Sequence, residues 1–146
     1  MNALMGDIDY SKFKVREYTH WDLFLHLEQS PYIGRCYAAA RRADAESIID
    51  MRPEEGQELF GTIVPAWNKA IKTLFNHDWP NVAILGNEWR HLHAHLIPRY
   101  FSSRTAYGIE FIDPRPKGNY APYNEHKKEV PLEIFLRIKD DIKSKL

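Results

Sequence analysis

The sequence predicts an α+β fold: an antiparallel sheet of about five strands with a central helix and a C-terminal helix. Three observations carry that expectation. Trp21, Leu23, Leu25 and Leu27 alternate with Asp22, Phe24, His26 and Glu28, the period-two pattern of a half-buried strand. Leu59, Phe60, Ile63, Val64, Trp67, Ile71, Leu74 and Phe75 recur at helical spacing. The run His91-Leu92-His93-Ala94-His95-Leu96-Ile97-Pro98-Arg99-Tyr100 alternates again. On a strand, Leu92, Ala94 and Leu96 share one face, and His91, His93 and His95 share the other. Adjacent strands joined by short turns favour antiparallel pairing, with the helices on one face of the sheet.

The elements follow in order. Residues 1–13 are mixed and read as a lead-in or a short helix. Residues 14–18 alternate well enough for a short strand, and 21–28 form the stronger one. Ser30-Pro31-Tyr32-Ile33-Gly34 is turn chemistry. Residues 35–41 then read as a strand whose Cys36, Ala38 and Ala40 share a face, small enough to let a helix pack closely. Pro53-Glu54-Glu55 starts the central helix, since proline is tolerated in a first turn and acids suit the positive end of the dipole. Pro65 removes one backbone hydrogen bond and should kink that helix, and Trp67 belongs in the core. Residues 76–80 are a loop with a solvated His77. Residues 82–85 are apolar at every position and read as a central strand covered on both sides. Gly86-Asn87 turns the chain into the histidine strand, whose end or edge position Pro98 marks. Residues 107–112 form a last short strand and 113–123 an irregular exposed segment. Residues 131–146 form an amphipathic helix with Leu132, Phe135, Leu136 and Ile142 as its apolar face.

The chain of 146 residues fits one domain with a real core. A net charge of zero argues against a strongly basic nucleic-acid binder, so no nucleic-acid partner is expected. No apolar run approaches the roughly 18 residues of a membrane span. The start, Met1-Asn2-Ala3-Leu4-Met5-Gly6-Asp7, lacks the basic and apolar regions of a signal peptide. Cys36 is the single cysteine, which excludes an internal disulfide and a paired-cysteine metal ribbon. A cytoplasmic location is the expectation these features share.

Three imidazoles on one strand face lie within roughly 7 Å of their neighbours. A neutral imidazole is a good nucleophile, and clustering makes simultaneous protonation costly. His-x-His on a strand also offers two nitrogen ligands, and Glu88 could add an oxygen, toward the three or four that zinc prefers. On the residues alone, a nucleophile and a metal site both stand.

Residues 91–97 resemble the signature of the histidine-triad (HIT) family, His-φ-His-φ-His-φ-φ with φ apolar, without a mismatch. Pro98-Arg99 resembles the diadenosine-polyphosphate hydrolase branch. Upstream, residues 81–87 resemble the strand and glycine turn that precede the triad, and 29–36 the turn between the early strands. The resemblance spans about residues 15–101, leaving 102–146 as a C-terminal extension with the terminal helix. It implies a HIT-like homodimer and a nucleotide partner. The implied activity is that of a nucleotide hydrolase or nucleotidyltransferase. It acts at the α-phosphate of a dinucleoside polyphosphate or similar conjugate through a covalent nucleotidyl-histidine. By position, the nucleophile is His93, with His91 and His95 orienting it and binding phosphate oxygens. Asn87 and Gly86 match phosphate-contacting positions, and Gln29 lies where some relatives place a phosphate-binding residue. Arg99 either contacts a distal phosphate or covers the sheet edge. No cofactor is implied beyond a divalent cation accompanying the nucleotide.

The chain also departs from the pattern. Arg35 follows Gly34, and Ala43 follows Arg41-Arg42, at places where many relatives carry a fourth histidine. Glu88 replaces a small hydroxyl residue. A nucleotide-binding regulatory protein with weak or no turnover, and a His-ligated metal-binding protein, therefore remain as alternatives.

Overall fold

Alternating side chains, with the apolar set buried on one face, build the sheet that carries the histidines. The computed structural model describes residues 9–121 and 127–146. The strands are β1 (Lys14–Glu17), β2 (Trp21–Leu25), β3 (Cys36–Ala40), β4 (Trp79–Ala83) and β5 (His93–Arg99). They pair antiparallel throughout, in the order β1-β2-β3-β5-β4. Trp21, Leu23 and Leu25 of β2, Cys36, Ala38 and Ala40 of β3, and Ala94 and Leu96 of β5 are buried on the helix side, joined by Leu92 just before β5. The α+β architecture is the expected one.

The helix layer is Pro53–Glu58 (α1), a π-helical stretch Leu59–Ile63, and Val64–Phe75 (α2). Pro65 has no N–H to offer. The expected kink takes the form of that π stretch, where the Val64 N–H reaches back five residues to the Leu59 carbonyl. Leu59, Ile63, Trp67 and Ile71 are fully buried, while Phe60 of the same sequence stripe faces solvent. The Trp67 indole N–H donates to the Gly34 carbonyl at 3.0 Å, so the helix is tied to the β2–β3 turn. Gly34 sits at φ +95°, and a Cβ there would lie 2.8 Å from Ile71 Cδ1, so glycine is required on both counts.

The C-terminal helix α3 (Leu132–Lys145) buries Ile138 and Ile142, while Leu132, expected on its apolar face, is exposed. Phe135 meets Phe13 edge-on at 6.1 Å. A short 3-10 turn, Tyr10–Phe13, precedes β1, and residues 1–8 of the expected lead-in lie outside the described residues. The expected last strand is a hairpin, β6 (Arg104–Ala106) and β7 (Ile109–Phe111). Its turn residues Tyr107 and Gly108 both have positive φ, as a tight two-residue hairpin turn requires.

Three local expectations are corrected. The 82–85 stretch is not a central strand: β4 is the sheet's edge, and Leu85 lies beyond it. Its apolar residues signalled an uncovered edge, because β5 inserts between β3 and β4. His77 is buried rather than solvated, and its Nε2–H donates to Asn68 Oδ1 at 2.7 Å. Asp113 is likewise buried, within a segment expected to be exposed; positions 122 and 123 of that segment lie outside the described residues. No helix among the described residues is long and apolar enough to cross a membrane.

Candidate active site

The face of the sheet away from the helices carries the imidazoles. His93 and His95 project from β5, opposite Ala39 and Tyr37 of β3. His91 lies in the bend before β5, because the strand starts at His93 rather than at His91 as expected. Leu92 and Leu96 are buried on the opposite side, as the alternation requires. Pro98 is the penultimate residue of β5, where it faces Pro80 of β4. Pairing with β3 has stopped at Leu96, so the missing N–H breaks no β3 ladder bond.

Two hydrogen bonds orient the rings. The His91 Nε2–H donates to the Ala40 carbonyl at 2.6 Å, and the His93 Nδ1–H donates to the His91 carbonyl at 2.6 Å. A carbonyl only accepts, so each of these nitrogens holds a proton. The neutral His93 ring therefore keeps its lone pair on Nε2. Burial lowers the His93 pKa, opposed by the His91 backbone hydrogen bond and helped by the nearby His91 charge. His95 is pushed down to about 4, first by burial, then by the positive Arg35 and by His93.

The structure adds residues that the sequence did not assign to the site. His26, just after β2, has its ring 5.8 Å from that of His95. Burial and the Arg35 charge hold it well below the ordinary histidine range. Arg35 itself is buried beside the two rings, with Tyr120 over its guanidinium at 5.7 Å. Trp89 lies in the β4–β5 connection, with its ring 4.7 Å from His93 and 5.1 Å from His91. Tyr37 bridges this group, edge-on to Trp89 and stacked on Phe24. The signal for His26 was present in the alternation of β2, which puts it on the face of Asp22 and Phe24. Its approach to His95 depends on strand order, which no local pattern states.

Two residues expected at or near the substrate, Arg99 and Gln29, make their hydrogen bonds inside the fold. Arg99 is buried and its donors are spent inside the fold. It pairs with Asp113 at 2.7 and 3.0 Å, and donates to Asn81 Oδ1 and to the Gly118 and Arg115 carbonyls. Gln29 is also buried: it donates to the His26 and Arg35 carbonyls and accepts the Gly34 N–H, which pins the β2–β3 turn. Asn87 and Glu88 are exposed in the β4–β5 connection, and Gly86 there has φ +84°. Among the described residues, no group of three or more His, Cys, Asp or Glu side chains is arranged to hold a metal ion.

No family model matches the sequence, and no curated protein matches it closely. Solved structures do match the fold. A histidine-triad protein from Sinorhizobium meliloti superposes with a TM-score of 0.70 at 19% identity, covering 92% of this chain and 89% of that one. A histidine-triad protein from Bradyrhizobium japonicum gives 0.67 at 20% identity, covering 99% and 96%. The diadenosine triphosphate hydrolase of Plasmodium falciparum gives 0.60 at 16% identity, covering 94% and 77%. The sheet, the central helix and the C-terminal helix of this chain are thus those of the histidine-triad fold.

Proposed function

We propose that the protein is a nucleotide hydrolase or nucleotidyltransferase. It acts at the α-phosphate of a dinucleoside polyphosphate or similar conjugate, through a covalent adduct on His93. One observation carries the reading: the His93 Nδ1–H is held by the His91 carbonyl, which leaves Nε2 unprotonated for attack. In the first step the Nε2 lone pair bonds phosphorus, and the leaving-group oxygen departs with the electron pair of the broken P–O bond. The ring becomes cationic, and its Nδ1–H already points at a carbonyl that stabilises that charge. In the second step water attacks phosphorus, the P–N bond breaks, and the water proton is released with the nucleotide. An alcohol, amine or phosphate acceptor in place of water makes the reaction a transfer. His91 and His95 flank the nucleophile, and Arg35 adds fixed positive charge beside His95.

All these groups are side chains of the protein, so the mechanism asks for no cofactor beyond a divalent cation that travels with the nucleotide. The reading includes a cytoplasmic location and a homodimer, and the dimer is supported by the uncovered edge strand β4, with Trp79 and Val82 exposed. A second reading, nucleotide binding with weak or no turnover, is favoured by Trp89, whose ring packs over that of His93.

One experiment separates the two. The protein is incubated with dinucleoside polyphosphates, nucleoside phosphoramidates and nucleotidyl sugars, and released mononucleotide is identified by mass. Turnover is expected in wild type, with a nucleotide mass on the His93 peptide after a non-acidic quench. His93→Ala is expected to lose at least about 10³-fold in kcat while still binding nucleotide. Binding without product assigns the second reading, and wild-type turnover in His93→Ala rules out the covalent route.

A further inference from the structure

His26 has no part in the nucleophilic step, yet it is built into the same face. It follows β2 with the parity of Asp22 and Phe24, opposite the buried Leu23 and Leu25. Its N–H donates to the Arg35 carbonyl at 3.0 Å, which anchors the residue across the β2–β3 end. The register aligns Phe24 with Tyr37 and Tyr37 with His95. Tyr37 stacks on Phe24 at 5.1 Å, and the His26 and His95 rings stand 5.8 Å apart beside it.

The two rings are complementary. His26 Nδ1 accepts the Glu28 N–H at 3.0 Å. An amide N–H only donates, so Nδ1 carries the lone pair and the proton of the neutral ring sits on Nε2. His95 has the opposite need: its Nδ1 is buried and has no hydrogen-bond partner among the described residues. A buried polar atom left alone is costly. Two imidazoles joined by an N–H···N bond of about 3 Å have ring centres roughly 5–6 Å apart. The observed separation of 5.8 Å meets that, and the soft second torsion of either side chain aligns the nitrogens.

We propose that His26 is a positioning residue of this site: its Nε2–H donates to His95 Nδ1 and holds His95 as the tautomer whose Nε2–H faces the phosphate. The His95 ring lies 4.9 Å from that of His93, so its Nε2–H is a donor for a phosphate oxygen beside the nucleophile. No proton is transferred in this role, and both rings stay neutral. The neighbours that bear on the pair are Arg35 just before β3, Tyr37 from β3, His93 from β5, Glu28, and Lys127, which is ion-paired to Glu28. The catalytic consequence rests on the nucleotidyl-transfer reading; the tautomer does not. The imidazole that the sequence pattern lacks after Gly34 is thus supplied from the end of a different strand.

The test is the tautomer of His95, read by long-range ¹H–¹⁵N correlation on imidazole-labelled protein near neutral pH. In wild type, His95 Nδ1 is expected to resonate as an unprotonated nitrogen and Nε2 as a protonated one. In His26→Ala the two nitrogens are expected to move toward an average, with kcat down about tenfold and KM nearly unchanged. His26→Gln retains an amide donor near the position of Nε2 and is expected to restore both. A wild-type His95 that carries its proton on Nδ1 overturns the proposal, and needs no variant to fold. So does a His95 pattern unchanged in folded His26→Ala. Should wild type turn over no nucleotide, the functional reading fails while the tautomer measurement still decides this one.

Discussion

At the scale of single residues, the site is a chain of tautomers set by backbone carbonyls. Ala40 fixes His91, and the His91 carbonyl fixes His93. The same buried environment makes several histidines refuse protons. His77 is driven down to about 4, chiefly by burial and then by Lys72, and His95 to about 4 by burial and Arg35. In the unfolded chain these rings titrate near the ordinary 6.5. Between the two values the unfolded chain binds protons that the native one does not, so stability rises with pH through that window and is lost as pH falls. Denaturant midpoints are expected to drop from pH 7 to pH 4.5, with a slope of up to about 1.4 kcal/mol per pH unit for each such group. His77→Gln should flatten the slope. A midpoint that does not change over this range would contradict neutral burial of these rings.

At the scale of elements, Arg99 joins the end of β5 to the segment after β7. Its five N–H groups meet Asp113, Asn81, Gly118 and Arg115. Removing one partner of a buried pair leaves the other charged and uncompensated, at about 3–5 kcal/mol. Arg99→Ala is expected to lose that much in urea unfolding. Arg99→Lys should not rescue it, because an ammonium cannot span the same fork of acceptors. An Arg99→Ala protein of normal stability with a raised KM would instead restore this residue to the substrate.

At the scale of the molecule, the sheet ends in β4, an edge strand paired on one side, to β5. Trp79 of β4 is 61% exposed, and Leu85 beyond it is 56% exposed. An apolar edge with open N–H and C=O groups is a template for pairing with a second chain. Light scattering coupled to size exclusion is expected to give a dimer for wild type. Trp79→Lys and Val82→Lys should shift it toward monomer without loss of helical circular dichroism. A wild-type monomer at micromolar concentration would remove the dimer from the functional reading.

Period-two and helical spacing, turn residues and the histidine run are local properties, and they alone carried the sheet, the central helix and the triad face. The alternation in β5 was legible because one buried face forces it. Three things were decided only by tertiary structure. Strand order made β4 an edge although its composition reads as central, since hydrophobicity does not distinguish a strand covered on both sides from one left at an exposed edge. The return of 113–118 over β5 consumed Arg99, whose guanidinium reads the same in sequence whether it meets a phosphate or Asp113. Finally, β3 lies between β2 and β5, bringing His26 within reach of a residue 69 positions away in the chain (95 − 26). A local pattern tells which way a side chain faces, but only the packed sheet tells which side chain it meets there.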